Sequence, residues 1–153
     1  MGLGGVAGHS HKHFPGDHPG YFYRLTIAQN LSAITAACLL VKKSIYKQVK
    51  GLNEKDLTVA FNDVDFCLKV QAAGYRNLWT PYAELYHHES ISRGTEDNPE
   101  KIARFNKEAE YMKQTWKTDS QVDLYYNVNL TVKNENFGLN ANSPPYDRRT
   151  HSV

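Results

Sequence analysis

Phe61-Asn62-Asp63-Val64-Asp65-Phe66-Cys67-Leu68-Lys69-Val70-Gln71-Ala72-Ala73-Gly74 is the stretch whose reading decides the fold. Val64, Cys67, Leu68 and Ala72 recur at helical spacing and give residues 61–73 one apolar side. Gly74 follows in the position where a helix stops on a left-handed residue. Asn62 or Asp63 then stands at the helix N-terminus. There, free backbone N–H groups and the positive end of the helix dipole stabilise a charged carboxylate. Downstream, residues 75–80 (Tyr-Arg-Asn-Leu-Trp-Thr) read as a strand, followed by Pro81 and a second extended piece over 82–87. Upstream, residues 31–42 are almost continuously small and apolar. The end of that run, Cys38-Leu39-Leu40-Val41, reads as a strand buried on both faces. Ser44 is placed to cap a short helix from Ile45 to Lys50, with Gly51 as its stop. Residues 97–117 form the clearest helix: Asp97 or Asn98 caps it, Pro99 suits its first turn, and Ile102, Phe105, Ala109, Met112 and Trp116 make one apolar stripe. These alternating elements predict an α/β fold with a mixed sheet and flanking helices.

The 153 residues suffice for one domain with a modest core, and 41% apolar with 22% charged residues is an ordinary globular balance. A net charge of +2, with no stretch interleaving Lys or Arg with aromatics, argues against a nucleic-acid partner. Cys38 and Cys67 lie inside apolar runs and are expected as buried free thiols, which fits a reducing compartment. No apolar run reaches the roughly 18 residues of a spanning helix. The N-terminus lacks the basic region and apolar core of a signal peptide. The expected location is cytoplasmic, which leaves room for peripheral contact with the inner face of a membrane. Residues 1–30 read as a glycine- and histidine-rich loop segment, and 31–118 as the folded unit. Residues 119–153 read as a polar, Asn-rich tail, extended or disordered, that includes Ser143-Pro144-Pro145. A chain that opens inside such a loop also suggests missing sequence upstream.

Four groups of residues could carry chemistry. Asp63, beside Asn62 and Asp65, offers a rigidly held carboxylate of the kind a general base needs, and a plain helix cap fits the same pattern. Tyr86-His87-His88-Glu89-Ser90-Ile91-Ser92-Arg93-Gly94 puts imidazoles, hydroxyls and a guanidinium at a strand end, where α/β proteins place ligands. Arg93 and Ser92 suit phosphate oxygens and a neutral His87 suits a divalent metal, while a polar loop with one packed histidine is the bland alternative. His9-Ser10-His11-Lys12-His13 invites a zinc reading but has no second ligand pair at a suitable spacing. Trp79, Tyr82 and Tyr86, at alternate positions, fit core packing better than a sugar platform.

Several strings together resemble the family 2 glycosyltransferases of the GT-A fold, in particular bacterial enzymes of the O-antigen and rhamnosyltransferase type. They are His-Pro-Gly-Tyr-Phe at 18–22, Asn-Leu-Ser-Ala-Ile-Thr-Ala-Ala-Cys-Leu-Leu-Val at 30–41, Lys-Gly-Leu-Asn-Glu at 50–54, Phe-Asn-Asp-Val-Asp-Phe-Cys-Leu at 61–68, Ala-Gly-Tyr-Arg at 73–76 and Thr-Pro-Tyr-Ala-Glu-Leu-Tyr-His-His-Glu-Ser at 80–90. Asp-Leu-Tyr-Tyr-Asn-Val-Asn-Leu-Thr at 123–131 is also similar to the family's C-terminal sequence, so the resemblance runs from about residue 5 to 138. It implies the C-terminal, acceptor-side part of a GT-A fold. It also implies that Asp63 is the base that deprotonates the acceptor hydroxyl. Asn62 replaces the Glu that precedes this Asp in the family. Asp65 matches a second acidic position, catalytic or organising. Thr35, Ala36 and Ala37 match the segment under the acceptor, with Asn62 as a further acceptor contact. His87, as metal and diphosphate ligand, and Ser92 with Arg93 would face the donor diphosphate.

The resemblance further implies inverting transfer of a sugar from a nucleotide-sugar donor to a saccharide or lipid-linked acceptor, with a divalent metal (Mg or Mn) in the full-length enzyme. The family's N-terminal Asp-x-Asp metal motif has no counterpart before the matched region; Asp63-Val64-Asp65 belongs to the later motif. The chain is therefore expected to be inactive alone and to form a homo-oligomer. The competing class is a non-catalytic interaction or scaffold module derived from such an enzyme.

Overall fold

The computed structural model describes residues 5–86 and 98–141, which form a mixed α/β arrangement. Its elements are β1 (Gln29–Leu31), α1 (Lys43–Gln48), α2 (Asn62–Ala72), β2 (Asn77–Trp79) and α3 (Pro99–Trp116). β1 and β2 pair antiparallel, with Gln29 opposite Trp79, Asn30 opposite Leu78 and Leu31 opposite Asn77. Asn77 is buried, and its side-chain amide donates to the carbonyls of Ser32 and Cys67, each at 3.0 Å. One amide thus ties the two-stranded sheet to α2.

α2 is the centre of the packing because it is apolar on more than one side. Val64 joins Val6, Leu57 and Met112 in one buried cluster. Phe66 and Val70 join Val49 in a second, flanked by Leu39, Val41, Ile45 and Leu52. Truncating Met112 or Phe66, both fully enclosed, would cost about 2–5 kcal/mol. The helix closes as its sequence predicts: Gly74, at φ 87°, donates to Gln71 O at 2.9 Å, and Tyr75 N–H donates to Val70 O at 3.2 Å. This is the paired bonding of a Schellman stop. α3 also begins as expected, with Asn98 Oδ1 accepting from Lys101 N–H at 2.8 Å and Pro99 in the first turn.

Several expectations are corrected. The run 34–42 is not a strand buried on both faces. Thr35 caps a short 3-10 turn, Ala36–Cys38, by accepting from Ala37 N–H. Leu39 then turns extended, Leu39 and Val41 pack inward, and Leu40 is 99% exposed. The run alternates like a strand but has no strand partner among the described residues. Cys38 consequently lies exposed, whereas Cys67 is buried, and both are free thiols. α1 starts at Lys43 rather than after a Ser44 cap. Lys50, with φ 61°, takes the left-handed stop and Gly51 follows it, donating to Tyr46 O. Residues 82–86 form no strand; Tyr82 is 86% and Tyr86 is 96% exposed, so neither is core. On α3, Ile102 and Phe105 stay substantially exposed, while Glu108 and Met112 are buried.

The segment after α3 is irregular and packs back on the N-terminal loop. Leu130 is buried and bridges to Leu139. Phe137 stacks on Tyr21 at 4.8 Å and lies against His11 at 4.8 Å. Among the described residues no helix is long and apolar enough to cross a membrane.

Candidate functional site

The N-terminus of α2 faces the turn that follows β1. Asp63, in the first turn of α2, is half-buried. Its Oδ1 accepts from the Val64 N–H at 2.9 Å, and its Oδ2 accepts from the Ala36 N–H at 3.2 Å. Thr35, Ala36 and Ala37 are exposed beside it. Asn62 precedes Asp63 in the same turn of helix. Four of the residues singled out in the sequence, Thr35, Ala36, Asn62 and Asp63, are thus brought together at one exposed place. A carboxylate held there by two backbone donors has a fixed direction and access from solvent, which are the geometric requirements for taking a proton from a bound hydroxyl.

Asp65 does not join them. Two positions along a helix turn a side chain through about 200°, so Asp65 points away from Asp63 and is buried. Its Oδ1 accepts from the Trp116 indole N–H at 2.8 Å, and its Oδ2 pairs with Lys69 Nζ at 2.7 Å. Lys69 also donates to Gly51 O at 3.1 Å. Oδ1 of the buried Asp65 side chain thus ties α2 to the end of α3, while Lys69, paired with Oδ2, reaches the loop after α1.

His87, Ser92 and Arg93, together with His88, lie outside the described residues. The geometry offers no support for a cation between Asp63 and Asp65, which diverge. Among the described residues no group of three His, Cys, Asp or Glu side chains converges to hold a metal. The described residues therefore do not fit a divalent cation. His11 packs locally: its Nε2 accepts from Tyr21 N–H at 3.1 Å and its ring meets Phe14 edge-on. Burial, followed by the charges of Arg24 and His18, lowers its pKa.

Three residues with a bearing on the site were not singled out in the sequence. Asn77 braces the sheet as described above. Asp123 accepts from the Ser32 hydroxyl and from Tyr125 N–H. Burial pushes its pKa up, but those hydrogen bonds prevail and leave it lowered. Glu108 is 2% exposed and accepts four hydrogen bonds from the loop before α2: Thr58 N–H at 3.0 Å, Thr58 Oγ at 2.8 Å, Val59 N–H at 3.2 Å and Ala60 N–H at 2.6 Å. Its sequence signal was its register: position 108 falls between Phe105 and Met112 on the apolar stripe, where a charge must be satisfied by something buried.

The chain is similar to several proteins of known sequence. It is 60% identical over 141 residues to an uncharacterized protein of Sinorhizobium fredii, an alignment covering 92% of this chain and 16% of that protein. It is 30% identical over 140 residues to an O-antigen biosynthesis protein of Myxococcus xanthus, covering 91% of this chain and 11% of the relative. It is 34% identical over 61 residues to N-acetylglucosaminyl-diphospho-decaprenol L-rhamnosyltransferase of Mycobacterium tuberculosis, covering 40% of this chain and 20% of that enzyme. The chain thus spans well under a quarter of the length of each of these relatives. No family model matches it, and no solved structure matches it. These matches support a relationship to glycosyltransferase and O-antigen biosynthesis proteins.

Proposed function

We propose that this chain supplies the acceptor side of an inverting glycosyltransferase of the GT-A type, with Asp63 as its general base. The observation that supports the reading is the Asp63 carboxylate, anchored by Val64 and Ala36 N–H and lying open beside the Thr35–Ala36 turn. In this proposal an acceptor hydroxyl seats on that turn, with Asn62 as a further contact. Its oxygen attacks the anomeric carbon from the face opposite the nucleotide diphosphate. A new carbon–oxygen bond forms, the bond to the diphosphate breaks with its electron pair, and the hydroxyl proton passes to Asp63. His87, Ser92 and Arg93 are assigned the diphosphate. His87 is also assigned to a divalent cation, whose remaining ligands, like recognition of the nucleotide, are assigned to sequence other than these residues. The acceptor class is a saccharide or lipid-linked saccharide, in bacterial surface polysaccharide synthesis at the inner face of the membrane. The names of the O-antigen and rhamnosyltransferase relatives support that class.

Titration calorimetry with nucleotide sugars and magnesium tests the division of labour. The chain alone should give no binding heat, and the complete protein that carries it should bind. Micromolar binding by the chain alone would overturn the assignment of the donor side to other sequence.

A further inference from the structure

The turn that leads into α2 is built against its own local preference. Thr58, Val59 and Ala60 bring three backbone N–H groups onto one carboxylate. Phe61 then adopts a left-handed conformation, φ 61° and ψ 6°, and serves as N-cap with no side-chain bond of its own. An aromatic residue holds that conformation only where its surroundings impose it. Besides its packing on the Val6, Leu57 and Val64 cluster, two contacts from α3 bear on it. The Glu108 carboxylate fastens residues 58–60, and the Phe105 ring packs against the Phe61 ring at 5.2 Å. A third bond secures the loop further back, where Asn53 Nδ2 donates to the Tyr111 hydroxyl at 2.9 Å. The Phe61 carbonyl in turn accepts from Asp65 N–H at 2.9 Å, which sets the first turn of α2 and with it the direction of Asp63.

We propose that Glu108 is a positioning residue for Asp63. Its buried carboxylate holds the 58–60 turn, the turn forces Phe61 to the left-handed side, and the helix that starts there aims Asp63 at the Thr35–Ala36 turn. Glu108 touches neither Asp63 nor the exposed face, so it acts through the backbone. The catalytic part of this inference rests on the proposed glycosyl transfer; the geometric part does not.

The test separates the two. Glu108→Gln keeps the side chain's size but places an amide donor among backbone donors. Thr58→Val removes only the hydroxyl bond and serves should the first variant fail to fold. Leu130→Ala, in the tail, is the control for lost stability without a changed turn. Backbone amide exchange on the 153-residue chain reads the geometry. Val64 N–H, and the Ala36 N–H resonance, report Asp63 directly. Exchange at Val64 should quicken about tenfold more in Glu108→Gln than in Leu130→Ala at matched global stability, with a smaller change of the same sign in Thr58→Val. Sugar transfer by the complete protein reads the chemistry. There kcat should fall about tenfold in Glu108→Gln, with KM for the donor changed less than about twofold. Amide exchange that follows global stability alone, or an unchanged kcat, overturns the positioning role. Selective loss of protection at Val64, in a complete protein that transfers no sugar at all, supports the positioning role and sinks the transfer reading instead.

Discussion

Cys67 lies on α2 one turn beyond Asp63, and its thiol is the most perturbed group near the site. Burial raises its pKa from 9.0 to about 11; the bond to the Ile34 backbone opposes this in part, and the Asp63 charge adds a smaller upward push. A thiol whose folded pKa is raised contributes stability that is complete below pH 9. The contribution is lost as pH rises through about 11, because the unfolded chain releases its proton first. Wild-type protein should therefore lose on the order of 2 kcal/mol more than Cys67→Ala between those limits. Urea unfolding at a series of pH values would show it, and parallel pH profiles for the two proteins would contradict it. Under native conditions a thiol reagent should modify exposed Cys38 alone. Composition could not separate these cysteines, since both sit in apolar runs; the 3-10 turn at Ala36–Cys38 decides which one is covered. The contact of Asp63 with Ala36, across 27 positions, was likewise beyond periodicity and came only through the family resemblance. Glu108 is hard to read from sequence because a single charge on an apolar stripe looks like an interruption, whereas here it binds the loop packed over it.

The helices were the legible elements. α2 and α3 announce themselves by a 3.6-residue period and by stop and cap residues that act locally, so no distant partner is needed to read them. The run 34–42 failed for the opposite reason. An apolar stretch becomes a strand only if another strand meets it, and that information lies elsewhere in the chain. The two glycines after α1 and α2 look equivalent in sequence but are not. Gly74, at φ 87°, has nothing within 4 Å of where a Cβ would sit, so Gly74→Ala should cost only the left-handed conformation, about 1 kcal/mol. Gly51, at φ 62°, would place a Cβ 2.7 Å from the Tyr46 ring, so Gly51→Ala should cost about 2–3 kcal/mol. Thermal unfolding of both variants checks the order, and an equal loss would mean that the Tyr46 ring moves freely aside.

On the scale of the molecule, the described residues hold a two-stranded sheet, which has little independent stability, and expose large apolar side chains such as Leu40, Leu85 and Tyr86. Unpaired strand edges beside such residues favour association. The isolated chain is expected to self-associate, and light scattering that returns a monodisperse monomer across a dilution series would refute this. The edges that could pair are those of β1 and β2, since the run 34–42 is not a strand. The central claim remains the proton transfer at Asp63. Its most direct test is sugar transfer by the complete protein carrying Asp63→Asn, with donor affinity measured alongside. The account predicts a fall in kcat of roughly a hundredfold or more with donor binding held within a few fold; turnover near the wild-type value would contradict it and leave Asp63 as a first-turn carboxylate that only satisfies the Val64 and Ala36 N–H groups.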